Sequence, residues 1–459
     1  MKSETVRAKV GTDFTQGNIL EQMIRFGLPL LLSSFLQHLY NAVDTMVIGR
    51  FEGTVGTVGV ANGGEIASVI TFVAMAFGNA GQIYISQLCG AKDHQGIKES
   101  TGTLVSMTFL MSVIFGAFSI IFCRPLLGLL NTQEAAMQEA MRYMIIVSLG
   151  LPAVFGYNAI CGILRGLGES AKPLIFISVA TVTNIVLDLL LVAVIPLAAA
   201  GTAIATIFAQ YASFIASLIF LYKRKERFGL DFSLGSFRVN GSRMMDLLRL
   251  GIPLTVQSAL IHLTQLYCNA QINSFGLVPS ATNSIGNKIY RILHVGTTSI
   301  STSTSTMIGQ NLGAGNHKRA KQVVFTSLKC CAVLGLFEIF VALFLPRQIF
   351  GLFIEDPEVI EYGVTYMRVI CIACVLCILQ TPFQGMVTGS GNAKLAFIAG
   401  MLDGVIIRLG VAIPLSAVLG ATGYFIGNNV AHLGPVTVGM VYFFSGKWKD
   451  YKLLNRNKK

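Results

Sequence analysis

Long apolar runs separated by short polar segments recur along all 459 residues of the chain. Three of these runs, 66–91, 189–222 and 409–446, contain no Asp, Glu, Lys or Arg. A helix of roughly 20 apolar residues crosses the hydrocarbon core of a bilayer, whereas a β-barrel would show short alternating segments that this sequence lacks. The pattern predicts an all-α polytopic membrane protein with twelve transmembrane helices, near 24–49, 58–87, 99–123, 137–163, 172–196, 199–222, 246–275, 281–309, 322–345, 359–387, 394–414 and 419–444.

The composition agrees with this prediction. Only 12% of the residues are charged and 53% are hydrophobic, and the mean hydropathy is +0.66. Soluble domains carry roughly 25% charged residues, so the composition excludes a water-soluble protein. Most of the nine cysteines lie inside apolar runs, where they are predicted to pack as small apolar residues rather than to form disulfides.

The distribution of basic residues predicts the orientation of the chain. Residues 1–22 are polar and lack the apolar core and cleavage site of a signal peptide, so the first span is predicted to be a retained anchor. An even number of spans then puts both termini on one side. That side carries 25 Lys and Arg residues, and the other carries only Arg50, Arg124 and Arg347. The positive-inside rule predicts an inner or plasma membrane protein with both termini in the cytoplasm. The net charge of +12 is thereby explained, and no nucleic-acid partner is expected.

Two halves of the chain resemble each other at a fixed offset. Six identical pairs are 223 residues apart, at Gln87 and Gln310, Gly90 and Gly313, Ala91 and Ala314, Tyr143 and Tyr366, Gly166 and Gly389, and Gly168 and Gly391. Halves with six spans each insert the same way up, which predicts a parallel internal repeat with the substrate path between two six-helix lobes. The predicted divisions are an N-lobe at 1–222, a cytoplasmic linker at 223–245, a C-lobe at 246–445 and a basic tail at 446–459.

No motif of a catalytic or ATP-driven protein is present in the sequence. The Gly-rich segments 90–96 and 313–318 lack the Gly-Lys-Ser/Thr ending of a Walker A loop, and neither Gly-x-Ser-x-Gly nor His-Glu-x-x-His occurs. The chain is therefore predicted not to be an enzyme and to need no cofactor.

Ionisable residues inside predicted spans are the candidates for function, because a charge at the bilayer centre costs roughly 2.5 to 3.5 kcal/mol on insertion scales. Asn184 and Asp188 lie on one helical face, and Thr206 lies at a similar depth in the next span. Together with Asp44 they offer the oxygen ligands that a hard cation prefers. The alternative is that Asn184 and Thr206 bond backbone carbonyls while the two acids face water.

The motifs of the first half, with one from the second, resemble those of a known family. Leu28-Pro29 with Asn41-Ala-Val-Asp44, Ser86-Gln87-Leu-Cys-Gly90-Ala91, Arg165-Gly166-Leu-Gly168, Asn184-x-x-x-Asp188, Ala205-Thr206 and Gly309-Gln310-Asn-Leu-Gly313-Ala314-Gly315 are similar to bacterial MATE (multidrug and toxic compound extrusion) transporters. The resemblance implies alternating access and antiport, in which influx of Na⁺ or H⁺ drives export of organic cations, drugs or other xenobiotics. It implies a coupling-cation site at Asp44, Asn184, Asp188 and Thr206, with Gln37 and Tyr40 in the same substrate cavity as Asp44 and Asp188.

The second half departs from the family pattern. Some members carry an acid in the seventh span where this chain has Ile261, next to His262, and the counterpart of Asp44 is Cys268. Asp403 and Arg408 are either a C-lobe coupling site, with His262 nearby, or a structural ion pair. Lys288 and Arg291 either reach the membrane surface or line a cavity, and Glu65 and Glu338 have no assigned role.

Competing functions make different demands on the cavity. A flippase for a lipid-linked or amphipathic substrate would favour a strongly cationic cavity, whereas the N-lobe acids favour a cationic amphipathic small molecule. A receptor or scaffold would not need paired buried acids. The expected assembly is a monomer in the lipid bilayer, with no metal site other than one for Na⁺. The sequence leaves open the substrate and the choice between Na⁺ and H⁺.

Overall fold

The computed structural model describes residues 11–51, 53–195, 198–226, 233–450 and 453, and it leaves the side chains of 41–51, 53–58, 193, 198, 199 and 234 undescribed. Within these residues the chain is helical and contains no β-strand. Helices satisfy every backbone hydrogen bond internally, which is required where no water is available. The predicted all-α class is confirmed.

Within the described residues, the first repeat contains eight α-helices and one π-helical segment. These are α1 (Ile19–Phe51), α2 (Gly53–Gly90), α3 (His94–Ile121), α4 (Cys123–Leu129), α5 (Glu134–Leu149), α6 (Leu151–Gly166), α7 (Ala171–Asp188), the π segment Leu189–Val194, and α8 (Ala198–Lys223).

The second repeat follows a short 3₁₀ helix at Leu234–Phe237 and contains a second π segment. Its elements are α9 (Gly241–Ser274), α10 (Leu277–Leu293), α11 (Val295–Gly313), α12 (His317–Phe344), α13 (Pro346–Gly351), α14 (Pro357–Ser390), α15 (Ala393–Met401), the π segment Leu402–Ile407, α16 (Arg408–Leu419), α17 (Ala421–Val430), α18 (Leu433–Ser445) and the 3₁₀ helix Lys447–Lys449.

The described helices match the predicted spans. Nine of them are long and apolar enough to cross a membrane, and α5 with α6, which meet at a bend of 47°, are long and apolar enough when taken together as one span. The remaining two predicted spans correspond to the consecutive pairs α10–α11 and α17–α18. Large apolar side chains at helical spacing stay exposed on α12, including Val333, Phe337 and Phe340. This is the face that lipid would cover.

The described residues pack into two compact units. Unit 1 contains 11–13 and 32–251, and unit 2 contains 14–31 together with 252–450 and 453. The start of α1 therefore packs with the second repeat, and the start of α9 packs with the first. The predicted lobe boundaries at 222 and 246 follow the repeat and stay a prediction. They do not include this exchange, in which the start of the first helix of each repeat packs with the other unit.

Polar contacts attach the two exchanged segments, 241–251 in unit 1 and 14–31 in unit 2, to the rest of their units. In unit 1, Arg243 at the start of α9 donates from Nη1 to Tyr84 Oη at 2.9 Å and from Nε to Glu99 Oε2 at 3.2 Å. In unit 2, Arg319 Nε donates to the carbonyl oxygen of Phe14 at 2.9 Å, and the backbone N–H of Phe14 donates to Gln310 Oε1 at 2.9 Å. Charge-assisted bonds of this kind are stronger than neutral ones, so both segments are firmly attached.

Candidate functional site

Unit 1 contains a cavity of about 460 Å³ between α1, α2, α5, α6 and α8. Three residues that the sequence analysis selected, Gln37, Tyr40 and Thr206, line this cavity, so the structure brings them together. Glu65 of α2, which had no assigned role, also lines it. We call this space the unit 1 cavity.

Close packing of α2 against α5 shapes one wall of the unit 1 cavity. A Cβ atom added to Gly63 would lie 3.0 Å from Cδ1 of Tyr143 and 3.1 Å from the carbonyl oxygen of Ala140, so a glycine at this position lets the two helices pack closely. Small residues at membrane helix interfaces have this effect generally. Tyr143 is consequently held in the cavity wall.

The polar groups of the unit 1 cavity favour a cationic ligand. Among the described residues of its lining, Glu65 is the only one that carries a charge. Thr206 Oγ1 is buried and has no hydrogen-bond partner within the described part of the chain. Buried hydroxyls are normally bonded, so this oxygen is available to a ligand or to water.

Asn184 and Asp188 lie on α7 and are fully buried, with relative exposures of 0%. They do not belong to the described lining of the unit 1 cavity. Both amide atoms of Asn184 are buried without a partner among the described residues, which is the state expected of a ligand-binding amide. Asp188 is the last residue of α7, directly before the π segment, and π segments occur frequently at functional sites.

The structure describes the side chains of three of the four residues of the predicted cation site. Asp44 lies in α1, but its side chain is outside the described residues. Asn184 and Asp188 are on α7, and Thr206 is on α8, the helix packed against it. The cluster therefore stays a prediction.

Unit 2 contains a smaller cavity of about 180 Å³, lined by Gln265, Asn269, Asn287, Tyr290, Arg291, Tyr366, Arg408, Phe425, Asn428, Asn429 and His432. We call this space the unit 2 cavity. Of these lining residues, only Arg408 was predicted from the sequence as a candidate site residue, and Arg291 was expected either to reach the membrane surface or to line a cavity. A signal was present, because Asn283, Asn287 and Arg291 are four residues apart and share one face of α10.

Hydrogen bonds hold the amide groups of this wall in place. Asn283 Nδ2 donates to Asn269 Oδ1 at 2.9 Å, and Asn287 Nδ2 donates to Asn283 Oδ1 at 3.1 Å. Tyr366 Oη donates to Asn287 Oδ1 at 3.2 Å. The wall is therefore a connected polar surface.

Asp403 and Arg408 form a buried ion pair. Arg408 Nη2 lies 2.7 Å from Asp403 Oδ1, and the two side chains are 3% and 6% exposed. The pair is five residues apart across the π segment, whose i to i+5 geometry brings such positions together. Arg408 Nη1 also donates to Asn428 Oδ1 at 3.1 Å, and His432 Nδ1 lies 3.9 Å from Asp403 Oδ2.

His262 lies on α9 and Glu338 lies on α12, both in unit 2. The backbone of Gly404 packs on Ile261, next to His262, and a Cβ there would lie 3.2 Å from the Ile261 nitrogen. Glu338 is buried on α12, where its Oε1 accepts a hydrogen bond of 3.0 Å from Thr297 and its Oε2 lies 3.7 Å from His294 Nδ1.

One protein-family model matches more than half of the chain. The MatE family model matches residues 29–190 and 253–419, one segment in each repeat. The chain belongs to the MATE family. This MATE protein is a transporter and not an enzyme, as the sequence predicted.

Similar proteins cover nearly the whole chain. "Probable multidrug resistance protein YpnP" of Bacillus subtilis is 28% identical over 96% of this chain and 98% of its own length. "Probable multidrug resistance protein NorM" of Thermotoga maritima is 22% identical over 96% of this chain and 95% of its own length. A MATE structure in complex with MaD3S superimposes with a TM-score of 0.88 at 19% identity, over 96% of this chain and 98% of the other. These likenesses support the twelve-helix, two-lobed fold that the sequence predicted.

Proposed function

We propose that this MATE protein is a multidrug exporter that moves organic cations and other xenobiotics out of the cell in exchange for inward Na⁺ or H⁺. The single observation that carries the proposal is the unit 1 cavity, which joins Gln37, Tyr40 and Thr206 around a space whose described lining has Glu65 as its only charge. The relatives' names, multidrug resistance protein in both cases, support the same substrate class.

The proposed coupling uses Asp44 and Asp188 as a site that holds either the incoming cation or the outgoing substrate. Two nearby carboxylates repel each other and gain most from a shared cation, and Asn184 and Thr206 supply neutral oxygens. Binding of H⁺ or Na⁺ then removes the charge with which an organic cation would pair. A ligand drives export only through a difference in its affinity between two conformations, and competition at one acidic site supplies that difference.

The remaining elements of the proposal concern the setting of the protein. It works as a monomer in the plasma membrane, with both termini in the cytoplasm. The rival function, flipping a lipid-linked substrate, calls for a strongly cationic cavity, and the described lining of the unit 1 cavity contains no Lys or Arg. That lining favours the export of cations.

Transport by purified protein in liposomes tests the proposal. A ΔNa⁺ and a ΔpH are imposed in separate experiments, and accumulation of a fluorescent organic cation is followed. We expect Asp188→Asn to fold, because it removes a buried charge, and to retain less than about a tenth of the gradient-driven accumulation. The control is Glu134→Gln, which removes an exposed carboxylate of unit 1 whose side chain is 80% exposed. If Asp188→Asn concentrates the dye as well as the control under both gradients, the coupling site lies elsewhere.

A further inference from the structure

The two cavities occupy equivalent positions in the two repeats. Tyr143 and Tyr366 are one of the pairs 223 residues apart, and each lines the cavity of its own unit. The same offset relates Thr206 to Asn429, which also line the unit 1 and unit 2 cavities respectively. Because the repeat makes the helical framework similar, these cavities are two versions of one site.

A third pair at this offset changes the charge of the site. Ser68 lines the unit 1 cavity, and its counterpart in the unit 2 cavity is Arg291. The described lining of the unit 2 cavity holds the guanidinium groups of Arg291 and Arg408 and contains no carboxylate. The unit 2 cavity is therefore electropositive where the unit 1 cavity is acidic.

The neighbouring groups leave this positive charge only partly neutralised. Asp403 pairs with Arg408, but Arg408 Nε is buried without a hydrogen-bond partner among the described residues. No described carboxylate lies within ion-pair distance of Arg291. Asp403 thus pairs with one of the two guanidinium groups of the lining, and an anion in the cavity would balance the other.

The two guanidinium groups in the wall are of the kind that binds an oxyanion. A guanidinium presents a planar fork of N–H groups that binds carboxylate or phosphate through two parallel hydrogen bonds. Asn428, Asn429 and Tyr290 add amide and hydroxyl groups to the same lining. A volume of about 180 Å³ equals roughly six waters at about 30 Å³ each, which is enough for a carboxylate or phosphate group and a few waters.

We propose that the unit 2 cavity is an anion site that binds a carboxylate or phosphate group, held by Arg291 and Arg408. The group belongs either to a free small anion or to a lipid headgroup that enters from the bilayer. This proposal does not rest on the export of cations, because it concerns binding to a different cavity.

Calorimetric titration of the purified protein with acetate and with phosphate, at constant ionic strength and against chloride, tests the proposal. We expect saturable binding that Arg291→Gln weakens at least about tenfold. The matched control is Lys288→Gln, which removes the same charge from an exposed position of the same helix outside the described lining. We expect it to change the dissociation constant by less than about twofold.

Native mass spectrometry of the same preparations separates the two sources of the anion. A phospholipid that stays on the wild type and the Lys288→Gln variant but is lost from Arg291→Gln identifies the lipid headgroup as the ligand. Saturable binding of acetate or phosphate with the same dependence on Arg291 identifies a free anion. Equal binding by all three proteins, or no binding of either kind, would overturn the proposal. Arg408 is left unchanged in this test, because its removal would strand the buried Asp403.

Discussion

In unit 1, Ser68 and Thr206 line a cavity of about 460 Å³ whose described lining has one charged residue, Glu65. At the equivalent positions of unit 2, Arg291 and Asn429 line a cavity of about 180 Å³ with two guanidinium groups. The framework is shared, since Tyr143 and Tyr366 occupy the same place in both. The repeat therefore preserves the position of the cavity, while single side chains in its wall set the charge of the ligand it suits.

The π segments of the two units differ in the position and the pairing of their acidic residue. Asp188 stands directly before the segment Leu189–Val194 and is fully buried. Asp403 stands inside the segment Leu402–Ile407, and Arg408 five residues later neutralises it. The acid of unit 2 is consequently committed to an internal ion pair. This is why we propose unit 1, rather than unit 2, as the site of cation coupling.

The largest effect is expected from breaking that ion pair. Arg408→Leu leaves the Asp403 carboxylate buried without its charged partner, which costs about 3 to 5 kcal/mol in comparable buried pairs. We expect a large loss of thermal stability in detergent, measured by the fraction of monodisperse protein after heating. The double variant Asp403→Leu with Arg408→Leu should recover most of the stability, because it removes both charges. A single variant as stable as the wild type would contradict a structural role for the pair.

A smaller effect is expected from moving the charge of unit 2 into unit 1. Ser68→Arg places a guanidinium in the wall of the unit 1 cavity, where it repels an organic cation. Two unit charges about 4 Å apart interact by about 1 kcal/mol in water and by about 4 kcal/mol at an effective dielectric of about 20. Because Ser68 is exposed, we expect a value near the water limit, about 1.4 kcal/mol, which is tenfold in affinity. Efflux of a fluorescent cation should fall by about that factor. Ser68→Gln, which adds bulk without charge, is the control, and an equal loss in both variants would point to steric blocking.

The smallest effect is expected from removing the carboxylate of the unit 1 cavity. Glu65 is exposed, so water screens its attraction for a cation. Glu65→Gln should raise the KM for a cationic substrate by about three- to fivefold with little change in kcat. An uncharged fluorescent substrate, measured on the same variant, serves as the control and should keep its KM. If both substrates lose affinity equally, Glu65 acts through the shape of the cavity rather than through its charge.

The class of the fold, the spans and the repeat could all be predicted from the amino-acid sequence. A lipid environment forces the chain to satisfy its backbone hydrogen bonds internally, so each apolar run has only one structural solution. The spacing of residues along one helix is equally local, which is why Asn184 and Asp188 could be placed on one face from their numbers alone. The family followed from motifs such as Arg165-Gly166-Leu-Gly168, in the correct order along the chain.

Which faces of different helices meet could not be predicted, because it depends on how the helices pack. Glu65 and Thr206 are 141 residues apart, and their shared cavity depends on how α2 and α8 pack. The contact between Asp403 and Arg408 likewise depends on the π segment, which brings the two residues together. The exchange of the first turns of α1 and α9 could not be predicted either. The hydropathy of a span shows that it must be buried in lipid or protein, but it does not show which helices the span packs against.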